Sequence, residues 1–225
     1  MRKITKKIFF TMIYVSLGVF FASGQNVQTV DDEDIQSWND LQMIVPVTKE
    51  FDFYAAITGR FGKNVTRLND RRFAVGFIYK LNKSWSFQPL YWNIKARNAR
   101  GEFGIEHRLN LRVGYRFPFK KFGLSHRSAF ERRYRSGRNS WRYRPSLTFE
   151  KDLPKNFISK AKLFVTEEVF YDSILKKFSR NRFSVGVTRP LFKQLSLDIY
   201  YMRQNDSFSR PGNLNVIGTG LRVRF

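Results

Sequence analysis

The chain has 225 residues, with 41 Lys and Arg against 18 Asp and Glu, and a formal charge of +23. At 17% aromatic residues it is not a disordered basic tail, which would be poor in them. It has no Cys, which excludes a disulfide scaffold, a thiolate metal site, a Cys nucleophile and a bacterial lipid-anchored N-terminus; two His leave almost no room for a multi-His metal site.

The first segment reads as an export signal. Arg2, Lys3, Lys6 and Lys7 form a positive region, and an apolar stretch runs from Ile8 to about Phe21. Ala22-Ser23-Gly24 then places small residues at the −3 and −1 positions before Gln25. This is the layout of a cleaved secretory signal over residues 1–24. The apolar run is short for an uncleaved spanning helix. Residues 25–225 follow as one domain without a linker.

From Asp34 onward the periodicity is close to two residues, the period of a strand. The clearest run is 102–116. Phe103, Ile105, His107, Leu109, Leu111, Val113 and Tyr115 share one face, while Glu106, Arg108, Arg112 and Arg116 lie on the other. Similar two-faced runs occur around residues 51–60, 72–80, 141–150, 182–188 and 221–225. The run 85–94 changes phase near Gln88–Pro89, which predicts a bulge there. Turn residues lie at Asn82-Lys83, Pro154-Lys155-Asn156, Asn205-Asp206 and Pro211-Gly212-Asn213.

Many short amphipathic strands suit either a soluble sandwich with charge outside or a membrane barrel with charge inside. The export signal, the aromatic apolar face and the C-terminus favour the barrel. Leu221, Val223 and Phe225 alternate to an aromatic last residue. That tail resembles the signal read by the outer-membrane barrel assembly machinery. The expected fold is a single antiparallel transmembrane barrel in the bacterial outer membrane. About eleven segments qualify as strands, and the even-number rule of such barrels favours twelve, with ten as the alternative. Counting back from Phe225 puts short turns on the periplasmic side and longer loops near 62–70, 171–181 and 205–213 outside. It also makes the segment 36–47 run inward, which calls for a further strand near Val27–Val30 or for one strand split in two.

With the apolar face on lipid, the charged face lines the lumen. Arg108, Arg112 and Arg116 lie there with Glu106. Arg127, Arg133 and Arg135 share a face with Glu131, and Arg142 and Arg144 share one with Glu150. Strands about 4.8 Å apart would align these as rungs. Arg offers a planar, always charged fork for carboxylate, sulfate or phosphate, and a net positive lumen favours anions. The competing reading is an Arg–Glu ladder that braces and plugs a small barrel. Basic residues near loop ends would meet anionic lipopolysaccharide. A nucleic-acid partner does not fit, since the basic residues alternate with lipid-type residues in an exported chain.

No enzyme is expected, although a lipid-modifying activity at the membrane face is the second alternative. His126 and Ser128 share a face, and His107 sits beside Leu109, both more in keeping with interfacial positions. Glu167 and Glu168 point to opposite faces. Asp31-Asp32-Glu33-Asp34 reads as a solvated acidic segment. No cofactor or metal is called for.

Asp34-Ile35-Gln36-Ser37-Trp38, Phe103-Gly104-Ile105-Glu106-His107-Arg108 and Arg127…Glu131-Arg132-Arg133…Arg142-Tyr143-Arg144 resemble a family of small outer-membrane barrels of unknown function, common in Bacteroidetes and Proteobacteria. More distantly, the chain is similar to monomeric porins for acidic oligosaccharides, whose lumens are Arg-lined. The resemblance implies a monomer that passes or binds small anionic solutes such as acidic sugars, and it carries over no catalytic residue.

Overall fold

The computed structural model describes residues 32–225 apart from 99, 155 and 157. The expected export signal at 1–24, the segment Val27–Val30 and Asp31 lie outside the described residues.

The described residues form eleven β-strands and no helix. These are β1 (Glu33–Pro46), β2 (Phe51–Gly62), β3 (Arg67–Lys80), β4 (Trp85–Arg97), β5 (Phe103–Arg116), β6 (Gly123–Arg135), β7 (Ser140–Asp152), β8 (Lys162–Asp172), β9 (Lys177–Pro190), β10 (Leu195–Asp206) and β11 (Asn213–Arg224). Each pairs antiparallel with its neighbour in sequence, and β1 pairs parallel with β11 to close a barrel.

The alternation of side chains decides which face lies where. Leu109 is 52% exposed and Ile217 54%, whereas the adjacent Asn110 is 3% exposed and Val216 fully buried. Charged side chains on the other parity, among them Glu106, Arg108, Glu131, Arg133, Glu168 and Arg182, are buried inside. An apolar exterior around a charged interior is the arrangement of a membrane barrel and the reverse of a soluble sandwich. Outward aromatic rings gather toward the end where β11 finishes, as in the Trp85–Tyr115 and Phe117–Phe119–Phe122 contacts. At the other end Trp141 stacks on Tyr171, which meets Phe178. These two groups correspond to the aromatic girdles of membrane barrels.

The all-β barrel is as expected, and its strand count falls between the ten and twelve that parity allowed. An even number follows only when the first and last strands run antiparallel. Here β1 runs inward from the opposite end, parallel to β11, so each of the eleven candidate segments is one strand.

Two local expectations are corrected. Connections at the end holding Phe225 are 47–50, 81–84, 117–122, 153–161 and 191–194, and those at the other end are 63–66, 98–102, 136–139, 173–176 and 207–212. The longer loops are therefore not collected at one end, because strands extend into the expected gaps: β2 to Gly62, β9 from Lys177 and β10 to Asp206. The run 85–94 contains no bulge, since its pairing with β5 is continuous from Trp85 to Arg97. The apparent phase change arises because Leu90 and Ile94 are apolar yet face inward, where Leu90 packs with Ile44, Tyr54, Ala56 and Ala74. The register shifts fall instead at Arg60/Phe61 and Phe170/Tyr171.

Gly218 gives the wall room for a ring. A Cβ there would lie 2.0 Å from the ring of Tyr200, which packs beside Trp38, Met202, Leu214 and Val216.

Of the acidic segment, the described residues Asp32, Glu33 and Asp34 are each held by partners, although Glu33 stays exposed. Asp34 is buried and accepts from the Lys63 and Asn64 amides at 3.0 and 2.9 Å. Asp32 accepts from the Gly212 amide at 2.7 Å, and Glu33 pairs with Arg203 at 2.6 Å. The turns that follow β2 and β10 bring those amides to β1.

Candidate functional site

The inward face of β5–β9 holds a connected set of guanidinium and carboxylate groups, in the half of the lumen nearer the start of β1. Its centre is Glu131 on β6, whose side chain has no solvent exposure. Glu131 Oε1 accepts from Arg108 Nη1 at 3.1 Å, Asn110 Nδ2 at 3.1 Å and Arg144 Nη1 at 2.6 Å. Register explains the meeting: Asn110 lies opposite Glu131 across β5–β6 with Arg108 two residues away on the same face, and Arg144 lies two residues from Arg142, the position opposite Glu131 across β6–β7.

Two further carboxylates extend the set. Glu106 binds Arg108 Nε at 2.7 Å and Arg133 Nη2 at 2.7 Å. Glu168 takes Arg127 Nη2 at 2.7 Å and Arg144 Nη2 at 2.9 Å, with Arg182 at 3.8 Å. Asp172 joins Arg142 at 2.9 Å and Arg133 at 3.5 Å. Removing such charges from water is costly, and sharing each carboxylate between cations offsets that cost.

Aromatic faces fill the gaps. Phe170 is 1% exposed, and the guanidinium carbons of Arg144 and Arg182 lie 4.6 and 4.7 Å from its ring centre. Arg60 stacks on Trp38 at 3.4 Å. Cation–π contact of this kind is strongest when desolvated.

The expected lumen residues thus divide into three groups. Arg108, Arg133, Arg142, Arg144, Glu106 and Glu131 come together in the network, with Arg127 joined through Glu168 and Arg135 at 3.7 Å from Glu106. Arg116 and Glu150 pair at 3.0 Å at the other mouth, where both are partly exposed. Glu150 therefore does not serve Arg142 or Arg144. It lies eight residues along β7 from Arg142, roughly 26 Å at 3.3 Å per residue.

Arg112 is the third case, a lumen guanidinium without a carboxylate among the described residues. It makes a long hydrogen bond to Gln88 at 3.4 Å, bonds the Tyr54 hydroxyl, and lies 5.7 Å from the Trp92 ring. Near the Phe225 end, a vestibule of about 370 Å³ is lined by Thr148, Glu150, Phe164, Thr188, Asp198 and Arg222, among others.

Sequence parity missed Trp38, Phe170, Asp172, Glu168 and Arg182 as members of the network. Parity put Arg182 on a charged face, and Glu168 lies directly opposite it in the β8–β9 register; that register was the missing signal. No group of three or more metal-ligating side chains occurs among the described residues.

Outside the barrel, His107 Nδ1 lies 2.6 Å from the Tyr91 hydroxyl, and His126 Nε2 lies 3.0 Å from Ser128 Oγ. Both are outward side chains of the wall.

Residues 35–215 match the family described as DUF2490, a protein of unknown function. The chain belongs to the DUF2490 family. No curated protein matches it. Among solved structures it is similar to the KdgM porin, with 13% identity, a TM-score of 0.46 and coverage of 78% of this chain and 92% of that one. It is also similar to the NanC porin, with 11% identity, a TM-score of 0.49 and coverage of 81% and 93%. A third is an anion-selective porin from Comamonas acidovorans, with 13% identity, a TM-score of 0.41 and coverage of 80% and 56%.

Proposed function

We propose that this DUF2490 barrel resides in the bacterial outer membrane and admits and binds small anionic solutes, acidic sugars among them, through its Arg-rich lumen. It is not an enzyme on this reading. The observation that carries it is Arg112, a lumen guanidinium without a carboxylate among the described residues, on the same strand as Arg116 and Arg108. An Arg without a carboxylate partner presents a flat fork suited to one. The exposed Arg116 and the half-buried Arg127 would draw anions toward it by their field.

Residues 1–24 would direct export, and the alternating Leu221, Val223 and Phe225 would be read by the barrel assembly machinery. The barrel closes within one chain, and we take it to act as a monomer.

A second reading has its own support. Glu131 and its partners are so deeply buried that the network would plug the lumen and brace the wall. Proteoliposome swelling separates the two. Entry of glucuronate faster than glucose supports anion passage, and entry of neither leaves the plugged barrel.

A further inference from the structure

On the outer wall, toward the end where β1 begins, two cations lie directly opposite each other. Arg71 on β3 pairs in register with Lys95 on β4, and both belong to the outward parity. Like charges in directly opposed positions destabilise a sheet. Neither side chain has an ion pair among the described residues, and Arg71 is exposed. Arg97, next on the same face of β4, lies 4.2 Å above the Phe103 ring, with Arg71 at 5.3 Å from that ring. The arrangement is a compact cationic cluster without a counter-charge at the rim of an apolar wall.

Directly below it the wall carries a shallow, open groove. This groove of about 820 Å³ crosses β3–β7, and Val75, Tyr91, Leu109, Phe130 and Trp141 contribute to it. Its origin is local. Pro89 has no N–H, and pairing between β3 and β4 is interrupted at Phe77–Ile78. Gly76 lets the Pro89 carbonyl approach to where a Cβ would be 2.1 Å away. Val75 and Tyr91 lie four residues from Arg71 and Lys95, roughly 13 Å along the strands. Arg132, an outward cation of β6, also borders the groove.

We propose that the outer wall of β3–β7 is a binding site for a phosphorylated, acylated glycolipid of the lipid A type. A phosphate would bridge Arg71 and Lys95, removing their repulsion through charge-assisted hydrogen bonds. An acyl chain would lie in the groove beneath. A cationic cluster paired with an apolar groove one acyl segment away selects an amphiphile rather than a free anion. This site is separate from the lumen and stands whether or not the barrel conducts.

The test is native mass spectrometry of the full barrel in detergent, titrated with bis-phosphorylated lipid A. The wild type should retain one lipid A, and dephosphorylated lipid A should bind at least ten-fold more weakly. R71Q/K95Q should lower the lipid A-bound fraction at least ten-fold. Arg203→Gln, which removes an outward cation already paired with Glu33, should leave binding unchanged. Equal retention by R71Q/K95Q, an equal loss in R203Q, or phosphatidylglycerol bound as tightly as lipid A would each overturn the proposal. Heat-modifiable gel mobility checks that every variant is folded, and the comparison of the two lipids on the wild type needs no variant.

Discussion

Glu131→Gln removes one charge from the centre of the lumen while nearly preserving shape. In the wild type one oxygen of Glu131 holds Arg108, Asn110 and Arg144, and its side chain is completely buried. Breaking a buried ion pair typically costs about 3–5 kcal/mol, because the remaining charge has lost both its partner and water. Arg108 keeps Glu106 at 2.7 Å, and Arg144 keeps Glu168 at 2.9 Å. Each cation therefore retains one carboxylate, which puts the expected loss at the lower end, about 3 kcal/mol. Urea unfolding in lipid vesicles, followed through the fluorescence of the four Trp, gives the difference directly. Glu150→Gln is the control. Its partner Arg116 is 60% exposed, so the loss should stay at about 0–1 kcal/mol. If Glu131→Gln costs no more than Glu150→Gln, water reaches the network and the account of a desolvated centre is refuted.

Two other variants probe the wall and its assembly. Ile199→Arg places a charge on an outward position that is 52% exposed, near the middle of β10. It should cost roughly 2–4 kcal/mol in vesicles, and a neutral result would mean that this face does not meet hydrocarbon. Deleting Phe225, whose amide donates to the Ile44 carbonyl at 3.2 Å, should lower the amount of heat-modifiable barrel in outer-membrane fractions. Unchanged levels would count against an assembly signal at the C-terminus.

Much of this barrel is legible in the sequence because strand parity is a local property. Residues 102–116 announce their two faces without any knowledge of neighbours, and the same parity puts Arg108, Glu131 and Arg144 on the inner wall. Parity cannot say which inner residues meet. Glu150 shares a face with Arg142, yet the length of β7 separates them, and Arg116 takes its place. Partner choice depends on register, which brings Glu168 opposite Arg182. Nor does every apolar side chain of these strands face lipid. Trp38, Leu90 and Phe170 fill the interior instead, since a narrow lumen lined only with charge would leave space unpacked. The strand count depended on how the barrel closes, a long-range pairing of β1 with β11 that no local pattern encodes.

The claim that anions use this lumen is tested most directly by the reversal potential of the purified barrel in planar bilayers under a KCl gradient. A measurable conductance and a reversal potential on the chloride side are expected. Arg112→Gln should shift it toward the cation side, because the fixed charge lining the path has fallen. The shift should shrink at 1 M salt, where the Debye length is about 3 Å. A folded barrel that shows no conductance at any voltage, or one that prefers potassium, contradicts the account.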